Sequence, residues 1–246
     1  MRPSARIFRP FLLTSLLWLA MAVGQAQTIH AVTETTPYTF VAGGRVTGTA
    51  TAVVEQTLQR AGLTDYKLSL YPWARAYELA LKEPNVLIFL IARTPAREQQ
   101  FHWAGEIMKI EYHLFRLRSH PLDIGSLESA KAYTIGVMRD DVRQQYLRSK
   151  GFERLVVSAQ SLDNFQKLLR GQVDLVPLTA DDATSLCRQT GFDCAQLVRV
   201  LTLDEASTGL YMAYSLPTAP AVVQRTQQAF EQLKAQGQVQ RILERP

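Results

Sequence analysis

The spacing of apolar and polar positions in the first part of the chain predicts strands and helices in alternation. Residues 29–33 and 66–70 alternate like half-buried strands, and 86–91 is a continuous apolar run, as in strands covered on both faces. Residues 49–61 carry apolar positions at helical spacing, and a further helix begins at Pro72, because proline is tolerated in a first turn. The β-α-β-α-β order predicts a parallel sheet with helices on its faces.

A second α/β unit of similar size is predicted after a looser stretch. Residues 111–117 alternate like a strand, and the polar residues 118–129 form a predicted connection. Glycines that follow two of the later helices supply the usual helix ends. The predicted strands cover 133–138, 155–157 and 173–177, and the predicted helices cover 141–150, 161–170 and 181–189.

The end of the chain predicts a return to the first unit. Residues 210–215 form a predicted strand, and the long helix predicted at 222–236 needs a sheet face on which to pack. Segments near Leu114 and Met212 are able to run between the two units. We therefore predict a two-lobed α/β fold with two crossovers, in which the C-terminal helix packs on lobe 1. The predicted division is lobe 1 at 27–116 plus 214–246 and lobe 2 at 117–213, with a ligand cleft between them.

The first residues have the pattern of a secretory signal peptide, 1–26. Arg2, Arg6 and Arg9 form a basic segment, an apolar segment follows at 11–23, and small residues precede a cleavage site after Ala26. The alternative is an uncleaved membrane anchor, although the apolar run is short for a span, which needs roughly 20 residues. A lipoprotein would need a cysteine at the cleavage site, and none lies near it, so we do not expect a lipid anchor. We expect export to the periplasm.

The charge balance gives no reason to expect a nucleic-acid partner. The full sequence has 27 basic and 22 acidic residues, a net charge of +5. Three of the basic residues and none of the acidic ones lie in the signal peptide, which leaves a net charge of +2. A nearly neutral mature chain does not favour binding to a polyanion.

Two cysteines, Cys187 and Cys194, predict a disulfide, because an exported protein folds in an oxidising compartment. The alternative is a pair of buried free thiols. Two cysteines and four scattered histidines do not form a zinc-binding set. We expect neither a metal nor a cofactor.

Aromatic and basic residues gather at two predicted strand–helix corners. Trp73 and Arg75 lie at the start of the helix that begins with Pro72, and Thr94 and Arg97 lie in the polar turn after the apolar strand. Open α/β sheets place ligands at such corners. This pattern predicts one wall of a ligand site.

Several short motifs occur in an order and spacing that resemble bacterial solute-binding proteins of family 3, which have the type 2 periplasmic binding protein fold. The resemblance covers nearly all of the chain after the signal peptide. It implies two lobes that close around a small molecule. The motifs are Glu34-x-x-Pro37-Tyr38, Tyr71-Pro72-Trp73-Ala74-Arg75-Ala76, Arg93-Thr94-x-x-Arg97-Glu98, Ile135-Gly136-Val137 and Gly171-x-x-Asp174.

The resemblance implies a role for Arg97. Family members that bind polar amino acids have a Thr-x-x-Arg turn whose arginine holds the ligand α-carboxylate, and a guanidinium suits this role because it pairs with a carboxylate through two parallel hydrogen bonds. The alternative is a salt bridge between Arg97 and Glu98 or Glu106. The chain also departs from the family at several positions, so the resemblance implies binding without implying an ordinary amino acid. Leu90 and Ala92 replace small hydroxyl residues, Asp140-Asp141-Val142 replaces Gly-Thr-Thr, and Thr179 replaces an acidic residue.

The other candidate ligand contacts each have an alternative role. Trp73 is expected either to stack on the ligand or to pack in the core, and Tyr38 to form a further wall. Arg75 is expected either to face an anion or to pair with a nearby glutamate. Glu34 is expected to receive a cationic group or to cap a turn. Asp140 is expected to face the cleft or to favour the start of a helix.

We expect a solute-binding protein that captures a small polar ligand, anionic or zwitterionic, for uptake through an inner-membrane ABC permease. The permease is implied by the family, and a monomer is expected. No catalytic set of residues is visible, so we do not expect an enzyme. Two alternatives stay open: an enzyme related to cyclohexadienyl dehydratases, which would need Glu34 or Asp140 as acid or base, and a periplasmic sensor that acts with a membrane partner.

Overall fold

The computed structural model describes residues 28–244, so the predicted signal peptide lies outside the described residues. Within this range no helix has both the length and the apolar character to cross a membrane. The strands are β1 (Ile29–Thr33), β2 (Phe40–Ala42), β3 (Arg45–Thr47), β4 (Tyr66–Leu70), β5 (Val86–Ala92), β6 (Phe101–Ile110), β7 (His113–Leu117), β8 (Ile135–Met138), β9 (Leu155–Ser158), β10 (Val176–Leu178), β11 (Leu197–Thr202) and β12 (Thr208–Ser215). The helices are α1 (Thr49–Arg60), α2 (Trp73–Lys82), α3 (Leu127–Ala130), α4 (Val142–Ser149), α5 (Ser161–Leu169), α6 (Ala180–Thr190), α7 (Pro220–Ala235) and α8 (Gln238–Leu243).

The first unit is built on a five-stranded sheet with the order β4-β1-β5-β12-β6. Strand β1 runs parallel to β4 and β5, as predicted, whereas β12 runs antiparallel to β5 and β6. All seven residues of β5 are buried, which explains its continuous apolar run. Helices α1, α2, α7 and α8 complete the first unit.

The second unit is built on the three-stranded sheet β10-β7-β11 and the parallel pair β8-β9, which a bridge between Ile135 and Leu175 joins. Helices α4, α5 and α6 belong to this unit. Strand β7 pairs in this sheet and β12 in the first. The division into lobes after 116 and 213 stays a prediction, and these pairings favour boundaries a few residues earlier in both crossovers.

The C-terminal helices return to the first unit, as predicted. Helix α7 packs on β6 and α1, and α8 packs on α1. Helix α7 begins at Pro220, two residues before the predicted start, because a first-turn proline costs no hydrogen bond. The mixed α/β architecture, with two crossovers and this return, confirms the predicted fold class.

The predicted disulfide between Cys187 and Cys194 is confirmed, with a Cα–Cα distance of 5.5 Å. It ties the last turn of α6 to a short 3-10 turn, Cys194–Gln196. The N-terminal end of α6 is held by a capping box, in which the Thr179 hydroxyl accepts from the Asp182 N–H. Both ends of this helix are therefore fixed.

Candidate functional site

A cavity of about 690 Å³ lies between the two units, at the carboxyl ends of β1, β4 and β5. This is the edge at which open α/β sheets bind ligands. The first unit lines it with Glu34, Tyr38, Tyr71, Trp73, Leu90 and Arg97, among others. The second unit lines it with residues at the starts of α4, α5 and α6, including Asp141, Arg143, Ser161, Leu162, Thr179 and Asp182.

Trp73 belongs both to the cavity wall and to the core. Its side chain is 3% exposed and stacks on Tyr77, with the ring centres 5.8 Å apart. Its indole N–H donates to the Asp140 carbonyl at 2.9 Å. The two roles that the sequence left open are therefore compatible.

Arg97 is fully buried, with 1% of its surface exposed, and it lines the cavity. Its Nη1 and Nη2 donate to the carbonyls of Ala92 and Asp140, at 3.3 and 3.0 Å. The guanidinium carbon lies 4.9 Å from the Tyr77 ring centre and 5.5 Å from that of Trp73. Within residues 28–244, Nε has no hydrogen-bond partner.

The salt bridge considered for Arg97 is wrong. Glu98 pairs instead with Arg93, at 2.5 Å, and Glu106 accepts a hydrogen bond from the Tyr211 hydroxyl at 2.6 Å. In the described part of the chain, Arg97 is thus a buried cation with carbonyl and aromatic neighbours and no carboxylate partner. This arrangement is suited to an anionic group of a ligand.

Arg75 and Thr94 do not line the cavity. Arg75 is exposed and donates to Glu78 at 2.9 Å, which matches the alternative given for it. Two residues along a helix turn the side chain by about 200°, so Arg75 points away when Trp73 points inward. Thr94 shapes the turn, since its carbonyl accepts from the Arg97 N–H at 3.0 Å.

Asp140 contributes its backbone to the site, and not its carboxylate. The residue is exposed and its side chain is not part of the cavity lining. Its φ of 59° is in the left-handed region, which is uncommon outside glycine and turns the carbonyl towards Trp73 and Arg97.

Leu90, inside β5, is another residue with a left-handed backbone conformation, with a φ of 58°. In the ladder with β12, Ile91 pairs with Tyr211 and Phe89 pairs with Met212, so Leu90 is the extra residue of a β-bulge. Leu90 lines the cavity. Strained backbones of this kind persist where the surrounding structure fixes them, and they cluster at functional sites.

Asp141 and Arg143 form a buried ion pair on the second unit. The Arg143 Nε donates to the Asp141 carboxylate at 2.5 Å, and Nη1 donates to the Pro177 carbonyl at 3.1 Å. The same carboxylate caps α4 by accepting from the Arg143 N–H at 2.9 Å. The Asp141 carboxylate at the start of α4 is therefore already paired with the Arg143 side chain and with a backbone N–H of the helix.

Glu34 of the first unit and Asp141 and Asp182 of the second bring three carboxyl groups to the cavity. Burial, and then the charge of Asp141, raises the pKa of Glu34 to about 8, although Arg143 opposes the shift. Burial also raises the pKa of Asp182. A cationic group placed here would favour the ionised form of Glu34.

Tyr38 lines the cavity and donates a short hydrogen bond to the Asp181 carboxylate. Burial, and then this bond, raises the pKa of Tyr38. The sequence suggested Tyr38 as a wall of the site, and the structure adds its bond to Asp181. The bond connects the loop after β1 with the start of α6.

The sequence missed Leu90 as a bulge, and Arg143 and Asp182 as lining residues. A bulge inside a continuous apolar run leaves no signal in the pattern, and Arg143 resembles any polar helix residue. Asp182 lies in the first turn of α6, where acidic residues are common for reasons of helix stability, so its position gave no sign of a lining role.

No protein-family model and no curated protein sequence matches the chain. Solved structures do match. A histidine kinase sensor domain with similarity to periplasmic binding proteins has a TM-score of 0.78 and 18% identity, over 88% of this chain and 94% of that chain. An ancestral arginine-binding protein bound to arginine has a TM-score of 0.76 and 17% identity, over 88% and 96%. An amino acid ABC transporter substrate-binding protein from Streptococcus pneumoniae, bound to L-arginine, has a TM-score of 0.74 and 14% identity, over 88% and 92%.

These likenesses show the fold. The chain has the fold of periplasmic binding proteins, and the similar structures are binding proteins and a sensor domain.

Proposed function

We propose that this chain is a periplasmic solute-binding protein that captures a small polar ligand, anionic or zwitterionic, in the cavity between its two units. The observation that carries the proposal is Arg97, a buried cation at the cavity with no carboxylate partner within residues 28–244. An anionic group of the ligand would take the guanidinium as its partner.

The opposite charge at the cavity supports a zwitterion in particular. Glu34 and Asp182 would receive a cationic group. Thr179 stands where the family resemblance implies an acid, and its hydroxyl caps α6, so another acid has to supply the negative charge. Tyr38 and Trp73 would form the walls. A volume of about 690 Å³ is within the range of small-molecule sites.

Uptake is the process that fits this proposal best. A similar structure is a substrate-binding protein of an amino acid ABC transporter. We infer that the mature chain, 27–246, is exported, acts as a monomer and delivers its ligand to an inner-membrane ABC permease.

A periplasmic sensor is the second candidate, because a histidine kinase sensor domain is among the similar structures. In that case the liganded chain would contact a sensor kinase instead of a permease. The enzyme alternative loses one of its two candidate groups, since the Asp140 carboxylate does not line the cavity.

A thermal-shift screen tests the proposal, because a ligand that binds only the folded state raises its stability. The panel is arginine, lysine, glutamine, glutamate, small dicarboxylates and simple amines, applied to the wild type, R97Q and R93Q. Arg93 is the matched control, since it pairs with Glu98 and does not line the cavity. We expect at least one compound to stabilise the wild type and R93Q, and to lose this effect in R97Q. Equal shifts in R97Q and the wild type would contradict the assignment of Arg97.

A further inference from the structure

The Asp140 carbonyl joins the two units of the molecule. It accepts from Trp73 at 2.9 Å and from Arg97 at 3.0 Å, and both donors belong to the first unit. Asp140 lies between β8 and α4, in the second unit. The Gln144 side chain accepts from the Asp140 N–H at 2.7 Å, which helps to fix the left-handed backbone of Asp140.

A second bond crosses the cavity between the units. The Tyr38 hydroxyl, in the loop after β1, donates to the Asp181 carboxylate at the start of α6. In both contacts, each unit of the chain supplies one of the two partners.

The Asp140 carbonyl also supplies a hydrogen-bond acceptor to the buried guanidinium of Arg97. A buried cation without acceptors is costly, and carbonyl oxygens reduce this cost. Arg97 has one carbonyl acceptor from its own unit, that of Ala92, and one from the second unit, that of Asp140. In the closed arrangement the guanidinium therefore has an acceptor from each unit without any ligand atom.

We propose that Trp73, Arg97 and the Asp140 carbonyl form a latch that closes the two units over the cavity without a ligand. The anionic group of a ligand then competes with the Asp140 carbonyl for the Arg97 guanidinium. A carboxylate is able to do so, because charge-assisted hydrogen bonds are stronger than those to a neutral carbonyl. The proposal concerns the chain alone and holds whether or not the protein is a solute receptor.

The crossovers between the units are short enough to act as hinges. Only Glu111 and Tyr112 separate β6 from β7, and residues 203–207 separate β11 from β12. Hinge closure of two domains usually concentrates the backbone change in a few such residues.

Distances between the units, measured without added ligand, test the latch. Spin labels are placed on cysteines introduced at Lys82 in α2 and Thr184 in α6, both exposed, and pulsed electron spin resonance gives the distance distribution. The variant D140V disfavours the left-handed backbone, because a β-branched residue rarely adopts a positive φ. D140N is the matched control, because asparagine tolerates this conformation.

We expect the wild type and D140N to give one short distance, and D140V to shift much of the population to longer distances. W73F keeps an aromatic ring but loses the N–H donor to the Asp140 carbonyl, so it should shift the population in the same direction. This second variant keeps the test valid if D140V misfolds. A wild type with a broad, open distribution would overturn the proposal, as would a W73F distribution identical to that of the wild type. Neither result would affect ligand-induced stabilisation of the wild type, so the failure of the latch is distinguishable from that of the proposed function.

Discussion

Two ionisable side chains at the cavity, Arg97 and Glu34, are accommodated in different ways. Arg97 is surrounded by carbonyl oxygens and the faces of Trp73 and Tyr77, which interact favourably with a cation. Burial, and then the charges of Asp141 and Asp182, raise the pKa of Glu34 to about 8, so its neutral form is favoured below that pH. A ligand that brings a cation to Glu34 would therefore release a proton.

The raised pKa of Glu34 predicts that stability falls as the pH rises. A glutamate with its ordinary pKa of 4.5 loses its proton in the unfolded chain, while the folded protein holds it up to about pH 8. Between these values the folded state binds more protons, so the free energy of unfolding decreases with pH by at most about 1.4 kcal/mol per pH unit. Above about pH 8 Glu34 is ionised in both states, and the free energy of unfolding no longer decreases because of it. The variant E34Q has no group to titrate at this position and therefore lacks this decrease.

Urea unfolding of the wild type, E34Q and E83Q, at about pH 5 and about pH 9, measures this effect. Glu83 is exposed and provides the control. We expect the wild type and E83Q to lose more stability than E34Q as the pH rises. A constant difference between the wild type and E34Q at both pH values would contradict the role of Glu34.

At the scale of elements, the contact between β6 and α7 attaches the C-terminal helix to the first unit. Gly105 of β6 faces Phe230 of α7, which is fully buried. A Cβ atom at Gly105 would lie 2.2 Å from a ring carbon of Phe230, so the helix can approach the strand closely only because this residue is glycine.

The variant G105A should therefore be destabilised by overpacking, by about 1 to 3 kcal/mol. Gly125 provides the control, because a Cβ atom there would meet nothing within 4 Å. We expect G125A to lie within about 0.5 kcal/mol of the wild type. Chemical denaturation measures both variants, and equal stability of G105A and G125A would show that α7 can move to make room.

The elements with a regular pattern were predicted well, and the irregular ones were not. Strand β5 is a continuous apolar run, and α1 has clear helical spacing, so both were found within a residue or two. Strand β6 was missed, because its burial alternates irregularly and its ladder with β12 shifts register twice. Strand β11 was also missed, since it is nowhere fully buried and shows no clean alternation.

At the scale of the whole molecule, the site depends on segments that are distant in the sequence. Thr94-x-x-Arg97 was recognisable because the motif is local, whereas the Asp140 carbonyl reaches Arg97 from 43 residues away. No pattern of residue types reveals which backbone carbonyl will approach a side chain from another unit. The sequence therefore indicated the fold and one wall of the cavity, and the second wall required the structure.

The disulfide is expected to stabilise the whole molecule, because it lowers the conformational entropy of the unfolded chain. Cys187 and Cys194 close a short loop, and the loss of loop entropy predicts a contribution of about 2 to 3 kcal/mol. Helix α6 carries Asp182 and lines the cavity, and its other end is held independently by the Thr179 cap. The double variant C187A/C194A should thus unfold at lower urea than the wild type and keep the fold. The wild type with its disulfide reduced should match it, and a reduced protein as stable as the oxidised one would contradict this contribution.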